Sequence, residues 1–341
     1  KTIVDVAEAI RKDAPLDRIM GTWYKATSGE VSKNPAQPLV DIGKIVPDFT
    51  LFDSARFIRP MGGNVFRTFP IESYRGCPYL CTYCNSPMQR SLSKEQDLGN
   101  FLRRKKLNVL ESEITSLVEN YDPEFLYFVD DSFLARPKKE VVEFCEFYKN
   151  VGLPFWFNTR PENCTENNMR LLKEAGCYRI SFGIECGNES YRKNVLLRNV
   201  TNDQIVESFR VIAESQIPFS INLIIGMPGE TRELVFDTIE LVRSIGGYDT
   251  LTVSIFTPYH GTVLRNVAVK NKWLNSDALT KHTTSSSLLD MPPPYLSAKD
   301  IDGLMRVIPL YVYFPKNEWN EIRKAEIADS IGDDVLAHYS G

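Results

Sequence analysis

Three cysteines lie within eight residues of one another and carry the strongest chemical signal in the sequence. Cys77, Cys81 and Cys84 are spaced Cys-x-x-x-Cys-x-x-Cys. Thiolates are soft ligands, and three of them on one loop can reach a single metal centre. A structural zinc site needs four ligands, usually as two separated pairs, and the histidine nearest in sequence is the distant His260. The spacing therefore favours a different kind of centre.

An iron–sulfur cluster with three cysteine ligands, in place of the usual four, fits this spacing. A ferredoxin cluster takes a fourth cysteine at a family-specific spacing, and none follows here. A 4Fe–4S cluster held by Cys77, Cys81 and Cys84 keeps one iron open to a substrate or cofactor, which makes it a site for chemistry. Three buried structural cysteines, or a zinc loop completed by a remote residue, remain the alternatives.

Other polar, glycine and aromatic residues follow apolar runs at regular intervals. Two adjacent carboxylates suit an ammonium ligand, a lone carboxylate suits ribose hydroxyls, and glycines let a backbone approach a flat ring. These residues, in chain order, are Asp130, Asp131, Arg160, Glu185, Gly226, Gly229, Tyr259 and His260.

The sequence pattern around these residues predicts alternating strands and helices, which would position them. The nearly continuous apolar runs are typical of parallel strands that are buried on both faces, and they are 66–74, 125–129, 154–158, 178–185, 219–226 and 251–256. Helical patterns separate them, and Thr201 with Gln204 predicts a capping box. Six such units predict an α/β fold, either a partial (β/α)6 TIM-like barrel or a doubly wound sheet, with the ligand site at the carboxyl ends of the strands.

The cysteine loop, with the aromatic Tyr83 before its last cysteine, resembles the signature of the radical S-adenosylmethionine enzymes. The resemblance implies a partial barrel in which Cys77, Cys81 and Cys84 hold a 4Fe–4S cluster. It also implies S-adenosylmethionine as second cofactor, reductively cleaved to a 5′-deoxyadenosyl radical, and an external reductant such as flavodoxin or ferredoxin.

The same resemblance implies roles for the residues at the strand ends. In chain order, it assigns Tyr83 to the adenine face, Asp130 and Asp131 to the methionine amine, Arg160 to the methionine carboxylate, Glu185 to the ribose, and Gly226 and Gly229 to the adenosine. Tyr259 and His260 would face the cavity as candidate catalytic groups, because a histidine titrates near neutral pH.

A narrower resemblance, to the subgroup with a cobalamin-binding domain, rests on four motifs. They are Phe-x-Asp-Asp-x-Phe, Gly-Ile-Glu, Gly-Met-Pro-Gly-Glu-Thr and Thr-Pro-Tyr-x-Gly-Thr. We expect residues 1–63 to be a connector from a cobalamin domain encoded upstream, 64–264 the core barrel, and 265–341 a helical extension that covers it. The Asp-x-His-x-x-Gly cobalamin loop does not occur in the sequence.

These resemblances predict a cobalamin-dependent methylation, or a C–C bond-forming or cyclase-type reaction, on a small molecule. A tRNA methylthiotransferase is the alternative, but it takes further cysteines and a basic tail, whereas residues 325–341 are acidic. An iron–sulfur electron-transfer or scaffold protein is the non-enzymatic alternative, and it would not need the adenosine motifs.

Composition and charge exclude several other classes. The 341 residues are 43% hydrophobic and 25% charged, which is ordinary for a globular protein. A net charge of −4 offers no bulk attraction to DNA, RNA or anionic membranes. No apolar run is long enough to span a bilayer. Seven cysteines without a secretory signal predict reduced thiols and a cytoplasmic location.

Overall fold

The structure is a computed structural model that describes residues 1–283 and 285–341; residue 284, in the predicted extension, lies outside the described residues. The strands in chain order are β1 Trp23–Lys25, β2 Val31–Lys33, β3 Ile58–Met61, β4 Asn64–Ile71, β5 Tyr74–Arg75, β6 Arg103–Arg104, β7 Phe125–Phe128, β8 Phe155–Thr159, β9 Cys177–Glu185, β10 Phe219–Ile225 and β11 Thr250–Ile255. The α-helices are α1 Thr2–Arg11, α2 Ser86–Glu95, α3 Leu107–Tyr121, α4 Lys138–Tyr148, α5 Glu166–Glu174, α6 Glu189–Asn194, α7 Asn202–Glu214, α8 Arg232–Arg243, α9 Val263–Lys270, α10 Ala298–Tyr313, α11 Trp319–Ile322 and α12 Ser330–Ser340. Short 3-10 helices cover Ile42–Lys44, Phe49–Leu51, Ser54–Phe57, Pro161–Asn163, Lys316–Glu318 and Arg323–Glu326.

A seven-stranded sheet in the order β11-β10-β9-β8-β7-β4-β3 organises the molecule. Its six strands from β4 to β11 pair in parallel, and β3 adds to the β4 edge in the antiparallel sense. The parallel strands join the sheet strictly in chain order. A doubly wound sheet reverses direction at a switch point, whereas a barrel adds strands in one direction. The topology therefore confirms the partial barrel, open between β3 and β11.

Local sequence signals explain where the core elements begin and end. Thr201 and Gln204 form the predicted capping box at the start of α7, and Thr165 with Asn168 forms another at α5. Gly176 follows α5 with a φ of +87°, a left-handed conformation that glycine adopts without strain. The six predicted strands agree with β4 and β7–β11 to within about three residues at each end.

The strands bury aromatic and branched side chains on both faces. Phe125, Phe128, Phe157 and Phe182 are all fully buried. Parallel strands covered by helices on one side and by the barrel interior on the other have no polar face. This explains why the runs in the sequence are continuously apolar.

The two flanking regions differ in how tightly they pack. Helix α1 buries none of its residues, whereas β3, within the predicted connector, is hydrogen-bonded into the sheet. Helix α10 packs against α8 and β11, and Arg243 of α8 donates to the carbonyl oxygens of Tyr311, Val312 and Phe314 at its end. Within the described residues, no helix is both long and apolar enough to cross a membrane.

Candidate active site

The cysteine loop leaves the sheet at the carboxyl end of β4 and ends at α2. Gly76, with a φ of +95°, lies directly before Cys77. A Cβ at this position would come within 2.7 Å of the carbonyl oxygen of Phe101, so only glycine fits without a backbone shift. The loop therefore starts in close contact with the segment that leads into β6.

Thr82, between Cys81 and Cys84, fixes the middle of the loop. Its hydroxyl donates to the carbonyl oxygen of Val195 at 2.7 Å, and its N–H donates to that of Leu196 at 3.3 Å. Its own carbonyl oxygen accepts from the N–H of Leu264 at 3.2 Å. One buried threonine thus ties the loop to the segment that follows α6 and to the first turn of α9.

The three thiols are free, partly buried and close enough to influence one another electrostatically. Burial, with smaller contributions from the neighbouring Cys81 and Cys84, raises the pKa of Cys77 to about 11. No three metal-ligating side chains among the described residues converge on a single ion. In a 4Fe–4S cube each thiolate binds a different iron, so the sulfurs need not meet at one point. The donor set suits a cube better than a mononuclear site.

The other four cysteines are core residues. Cys145, Cys164, Cys177 and Cys186 are all buried, and burial raises the pKa of each thiol. A buried thiol with a raised pKa behaves as a small hydrophobic side chain.

The two adjacent carboxylates after β7 have different surroundings. Asp130 is 3% exposed and accepts from the N–H groups of Ser73 and Tyr74 at 2.8 and 2.9 Å, from the Ser73 hydroxyl at 2.5 Å and from Arg136 at 2.5 Å. Both of its oxygens are therefore used within the chain. Asp131 is exposed and accepts one bond, from the N–H of Gly76 at 2.9 Å. Partial burial raises the pKa of the Asp131 carboxyl group.

Arg160, at the end of β8, contacts the cysteine loop through an aromatic ring. Its guanidinium lies 3.8 Å from the ring centroid of Tyr79, and it pairs with Glu162 at 2.6 Å. The Tyr79 hydroxyl donates to the Asn163 side chain at 2.7 Å. Three buried polar atoms here have no hydrogen-bond partner among the described residues, namely Arg160 Nε, Glu162 Oε2 and Asn163 Nδ2. Such atoms are rare in folded proteins and are available to a water molecule or a polar ligand.

Glu185 lies at a β-bulge at the carboxyl end of β9. The pairing with β10 shifts register beside it, and its φ is +67°, which is rare for a residue with a side chain. Strained backbone of this kind is concentrated at functional sites. Burial raises the pKa of the Glu185 carboxyl group.

Arg198, which the sequence analysis did not single out, joins Glu185 to the cysteine loop. It is 2% exposed and donates to the Tyr83 hydroxyl at 3.2 Å, to Glu185 at 3.1 Å and to the carbonyl oxygen of Gly183 at 2.8 Å. Its buried Nε has no hydrogen-bond partner in the described part of the chain. The available signal was an arginine that ends the apolar run Val195–Leu197, where a charge is out of place.

The turn that follows β10 is stabilised by its own buried glutamate and by contacts with the C-terminal region. Gly226 and Gly229 have φ values of +78° and +82°. The buried Glu230 carboxylate accepts from the N–H groups of Gly226 and Met227 at 2.5 and 3.2 Å, and burial raises its pKa to about 8. Ile301 of α10 packs against Gly226, where an added Cβ would meet it at 2.9 Å.

The segment Met291–Leu296 fastens this turn to the C-terminal helices. The Met291 thioether accepts from the N–H of Gly229 at 3.3 Å, and the N–H of Leu296 donates to the carbonyl oxygen of Glu230 at 3.0 Å. Tyr295 forms a β-bridge with Thr231. We call Met291–Leu296 the strap.

Tyr259 and His260 lie on the surface after β11. Tyr259 is 41% exposed, and His260 is exposed as well. The N–H and carbonyl of Tyr259 bond within its own turn, to Thr257 and Thr262. A catalytic role for these two residues stays a prediction.

Comparison with known proteins decides the family. Residues 71–242, half of the chain, match the profile of the family described as "Radical SAM superfamily". The chain belongs to the radical SAM superfamily. Membership implies an enzyme with a 4Fe–4S cluster and S-adenosylmethionine as cofactors, and an external reductant.

Related sequences and structures of this superfamily include methyltransferases. The chain is 26% identical over 309 residues to the uncharacterized methyltransferase PH0819 of Pyrococcus horikoshii, covering 89% of this chain and 63% of that protein. It is 26% identical over 274 residues to the tRNA-2-methylthio-N(6)-dimethylallyladenosine synthase of Clostridioides difficile, covering 75% of this chain and 53% of that protein. The chain thus spans less than two thirds of either relative.

Solved structures share the fold over most or nearly all of the chain. The cobalamin-dependent S-adenosylmethionine radical enzyme OxsB with aqua-cobalamin and S-adenosylmethionine bound has a TM-score of 0.64 at 13% identity, covering 99% of this chain and 53% of OxsB. The radical S-adenosylmethionine methyltransferase TsrM from Kitasatospora setae, with tryptophan and an analogue of S-adenosylmethionine bound, has a TM-score of 0.58 at 17% identity. The match covers 86% of this chain and 57% of TsrM. At these identities the likeness shows the fold.

Proposed function

We propose that this radical SAM enzyme catalyses a methyl transfer or a C–C bond-forming reaction on a small molecule. The observation that carries the proposal is the chain of contacts from Tyr83, in the cysteine loop, through Arg198 to Glu185. These contacts support the proposal because they offer a buried cation and a carboxylate next to the cysteine loop, and such groups suit a zwitterionic amino acid joined to a ribose.

Each group of S-adenosylmethionine has a matching residue in this arrangement. Cys77, Cys81 and Cys84 would hold the cluster, which when bound supplies the electron that cleaves S-adenosylmethionine. Asp131, whose carboxylate has spare acceptor capacity beside the loop, would accept from the ammonium group. Arg198 would donate its free Nε–H toward the carboxylate, the role that the resemblance gives to Arg160, whose guanidinium is paired with Glu162.

The adenosine half would lie against strands β9 and β10. Glu185 would accept from the ribose hydroxyls, since a carboxylate can accept two parallel hydrogen bonds. The turn at Gly226 brings bare backbone to the same edge, and Tyr83 offers an aromatic face. Asp130, with its oxygens already occupied, would act by holding the Ser73–Tyr74 backbone ahead of the loop.

The methyltransferase part of the proposal rests on the relatives. PH0819 and TsrM carry that name, and OxsB is described as cobalamin-dependent. No residue of this chain is assigned to cobalamin, so no step here is routed through it. Cobalamin enters the proposal as a cofactor to be tested.

The decisive experiment is an anaerobic assay of the reconstituted protein with dithionite and S-adenosylmethionine. We expect 5′-deoxyadenosine, together with S-adenosylhomocysteine when a methyl group is transferred, and we expect the latter to increase with added cobalamin. A protein with four irons per chain that releases no 5′-deoxyadenosine would refute the radical assignment. The control is the Cys77→Ala/Cys81→Ala/Cys84→Ala variant, which lacks the proposed cluster ligands and should form no 5′-deoxyadenosine.

A further inference from the structure

A groove in the C-terminal part of the fold lies apart from the site described above. It has a volume of about 470 Å³ and forms where the first turns of α8 and α10 meet the 3-10 helix Arg323–Glu326. None of the residues assigned to S-adenosylmethionine is in its wall. Its charged residues are Arg232, Lys299, Asp300, Arg323, Lys324 and Glu326. We call it the cationic groove, because its cations exceed its carboxylates by two in a chain of net charge −4.

The two carboxylates of the groove already have partners within the chain. Glu326 accepts from the Arg232 guanidinium through both of its oxygens, at 2.8 Å for Oε2, and from the Tyr311 hydroxyl at 2.5 Å. Asp300 accepts from the N–H and the hydroxyl of Ser297, at 2.9 and 2.6 Å, within the capping box of α10. These carboxylates therefore leave the remaining cations of the groove without a counter-charge.

Lys299 and Arg323 are the cations that remain. Both are exposed, and neither forms an ion pair or a side-chain hydrogen bond with any described residue. The positive ends of α8 and α10 border the same groove, and they add to the attraction for an anion. A phosphate group suits this place, since arginine can donate two parallel hydrogen bonds to it and lysine a third.

A second cavity, of about 300 Å³, continues the groove toward aromatic side chains. The two cavities share Arg232, Asn320 and Arg323 in their walls. Phe236 and Trp319 line the second cavity, and both are half-buried. Their rings meet edge to face at 5.2 Å, so neither covers the face of the other. A flat ring can therefore pack in the second cavity while a phosphate attached to it reaches the first.

We propose that the cationic groove and its aromatic extension bind a phosphorylated small molecule with a flat ring, the chemistry of a nucleoside monophosphate. Lys299 and Arg323 contact the phosphate, and Phe236 contacts the ring. Asn320 and Glu233, also in the wall of the second cavity, offer acceptors for sugar hydroxyls. An RNA carries the same groups, but cavities of several hundred Å³ are of the size that encloses a single small ligand. The inference needs neither the cluster nor S-adenosylmethionine, so it stands apart from the proposed function.

Equilibrium dialysis of the purified full chain with uridine monophosphate, ribose 5-phosphate and uridine tests the proposal. We expect uridine monophosphate to bind about tenfold more tightly than either fragment, because only the whole molecule fills both cavities. Lys299→Gln/Arg323→Gln should weaken its binding about 10- to 100-fold through the loss of charged hydrogen bonds. Phe236→Leu should lower its affinity to that of ribose 5-phosphate. Excess S-adenosylmethionine should change none of these values.

A matched control removes the same side-chain types elsewhere. Arg11 and Lys270 are exposed on α1 and α9, and Arg11→Gln/Lys270→Gln should bind uridine monophosphate like the unmodified chain. Equal weakening in the control and test variants would reduce the effect to bulk charge and overturn the proposal. So would displacement of uridine monophosphate by S-adenosylmethionine, or tighter binding of a short oligouridylate. The three probes on the unmodified chain decide the matter even where a variant is unstable, since equal affinities for all three would also overturn it.

Discussion

The guanidinium of Arg198 lies between the Tyr83 hydroxyl, at 3.2 Å, and the Glu185 carboxylate, at 3.1 Å. The tyrosine belongs to the cysteine loop and the carboxylate to the fourth parallel strand. One buried cation therefore sets the relative position of the cluster loop and the proposed ribose contact. Its Nη1 donates to both neighbours and its Nη2 to the carbonyl oxygen of Gly183, so Nε–H is the donor that remains for a ligand.

Replacing Arg198 by lysine keeps the charge and removes the fork. Lysine has one nitrogen, so an ammonium group in the place of Nη1 can still reach Tyr83 and Glu185 but offers no donor at the positions of Nη2 and Nε. We expect the Kd for S-adenosylmethionine to rise about 10- to 100-fold, in line with the loss of one or two charged hydrogen bonds. Anaerobic equilibrium dialysis measures it. Unchanged affinity, with four irons still bound, would exclude Arg198 as a cofactor contact.

The assignment of the cluster ligands predicts opposite results for two cysteine variants. Cys81→Ala should lose the iron and sulfide of the reconstituted protein together with its visible absorbance. Cys186→Ala should keep the cluster and lose only about 1 to 2 kcal/mol of unfolding free energy, because a buried thiol leaves a small cavity. Iron analysis and denaturant titration distinguish the two. Loss of iron from Cys186→Ala alone would reverse the assignment.

We expect substitution of the two adjacent aspartates to have different effects, on stability at Asp130 and on S-adenosylmethionine binding at Asp131. Asp130→Asn breaks the buried pair with Arg136, so we expect a loss of about 3 to 5 kcal/mol in unfolding free energy. Asp131→Asn should leave stability within about 1 kcal/mol, because the residue is exposed, and weaken S-adenosylmethionine binding. Urea denaturation and equilibrium dialysis of both variants provide the comparison. Equal effects on binding would argue against Asp131 as the ammonium acceptor.

Glu230 should make stability depend on pH. Its pKa in the folded chain is about 8 against an ordinary value of 4.5, because burial disfavours the carboxylate. The folded state retains a proton that the unfolded state releases, so stability is greatest at low pH and falls as the pH rises from about 4.5 to 8. Glu230→Gln has no carboxyl group to titrate at this position. Over this pH range we expect its unfolding free energy to fall less than that of the unmodified protein, with a difference of up to about 3 to 5 kcal/mol. Denaturant titrations at pH 5.5 and 8 measure the change. An equal loss of unfolding free energy in the two proteins between these pH values would contradict the prediction.

Local patterns in the sequence predicted the fold well. The apolar runs and the capping box at Thr201 depend on neighbours in the chain, and the structure confirms both of them. The choice between a barrel and a doubly wound sheet depends on strand order. Strand order is a long-range property, so only the structure could decide it.

The site was less accessible to sequence reasoning. Asp130 and Asp131 are identical in type and adjacent, and only the positions of Ser73 and Arg136 show that one of them is fully used. Arg198 meets Tyr83 across 115 positions in the chain. No periodicity or spacing rule relates residues so far apart.

The strap has a consequence for how the protein is made. The turn at Gly226–Glu230 receives Met291, Leu296 and Ile301 from a part of the chain synthesised about seventy residues later. Chains fold progressively as they leave the ribosome. The cysteine loop and its neighbouring strands precede these residues in the chain, so we expect the turn beside the proposed adenosine site to be the last part of the site to gain its contacts.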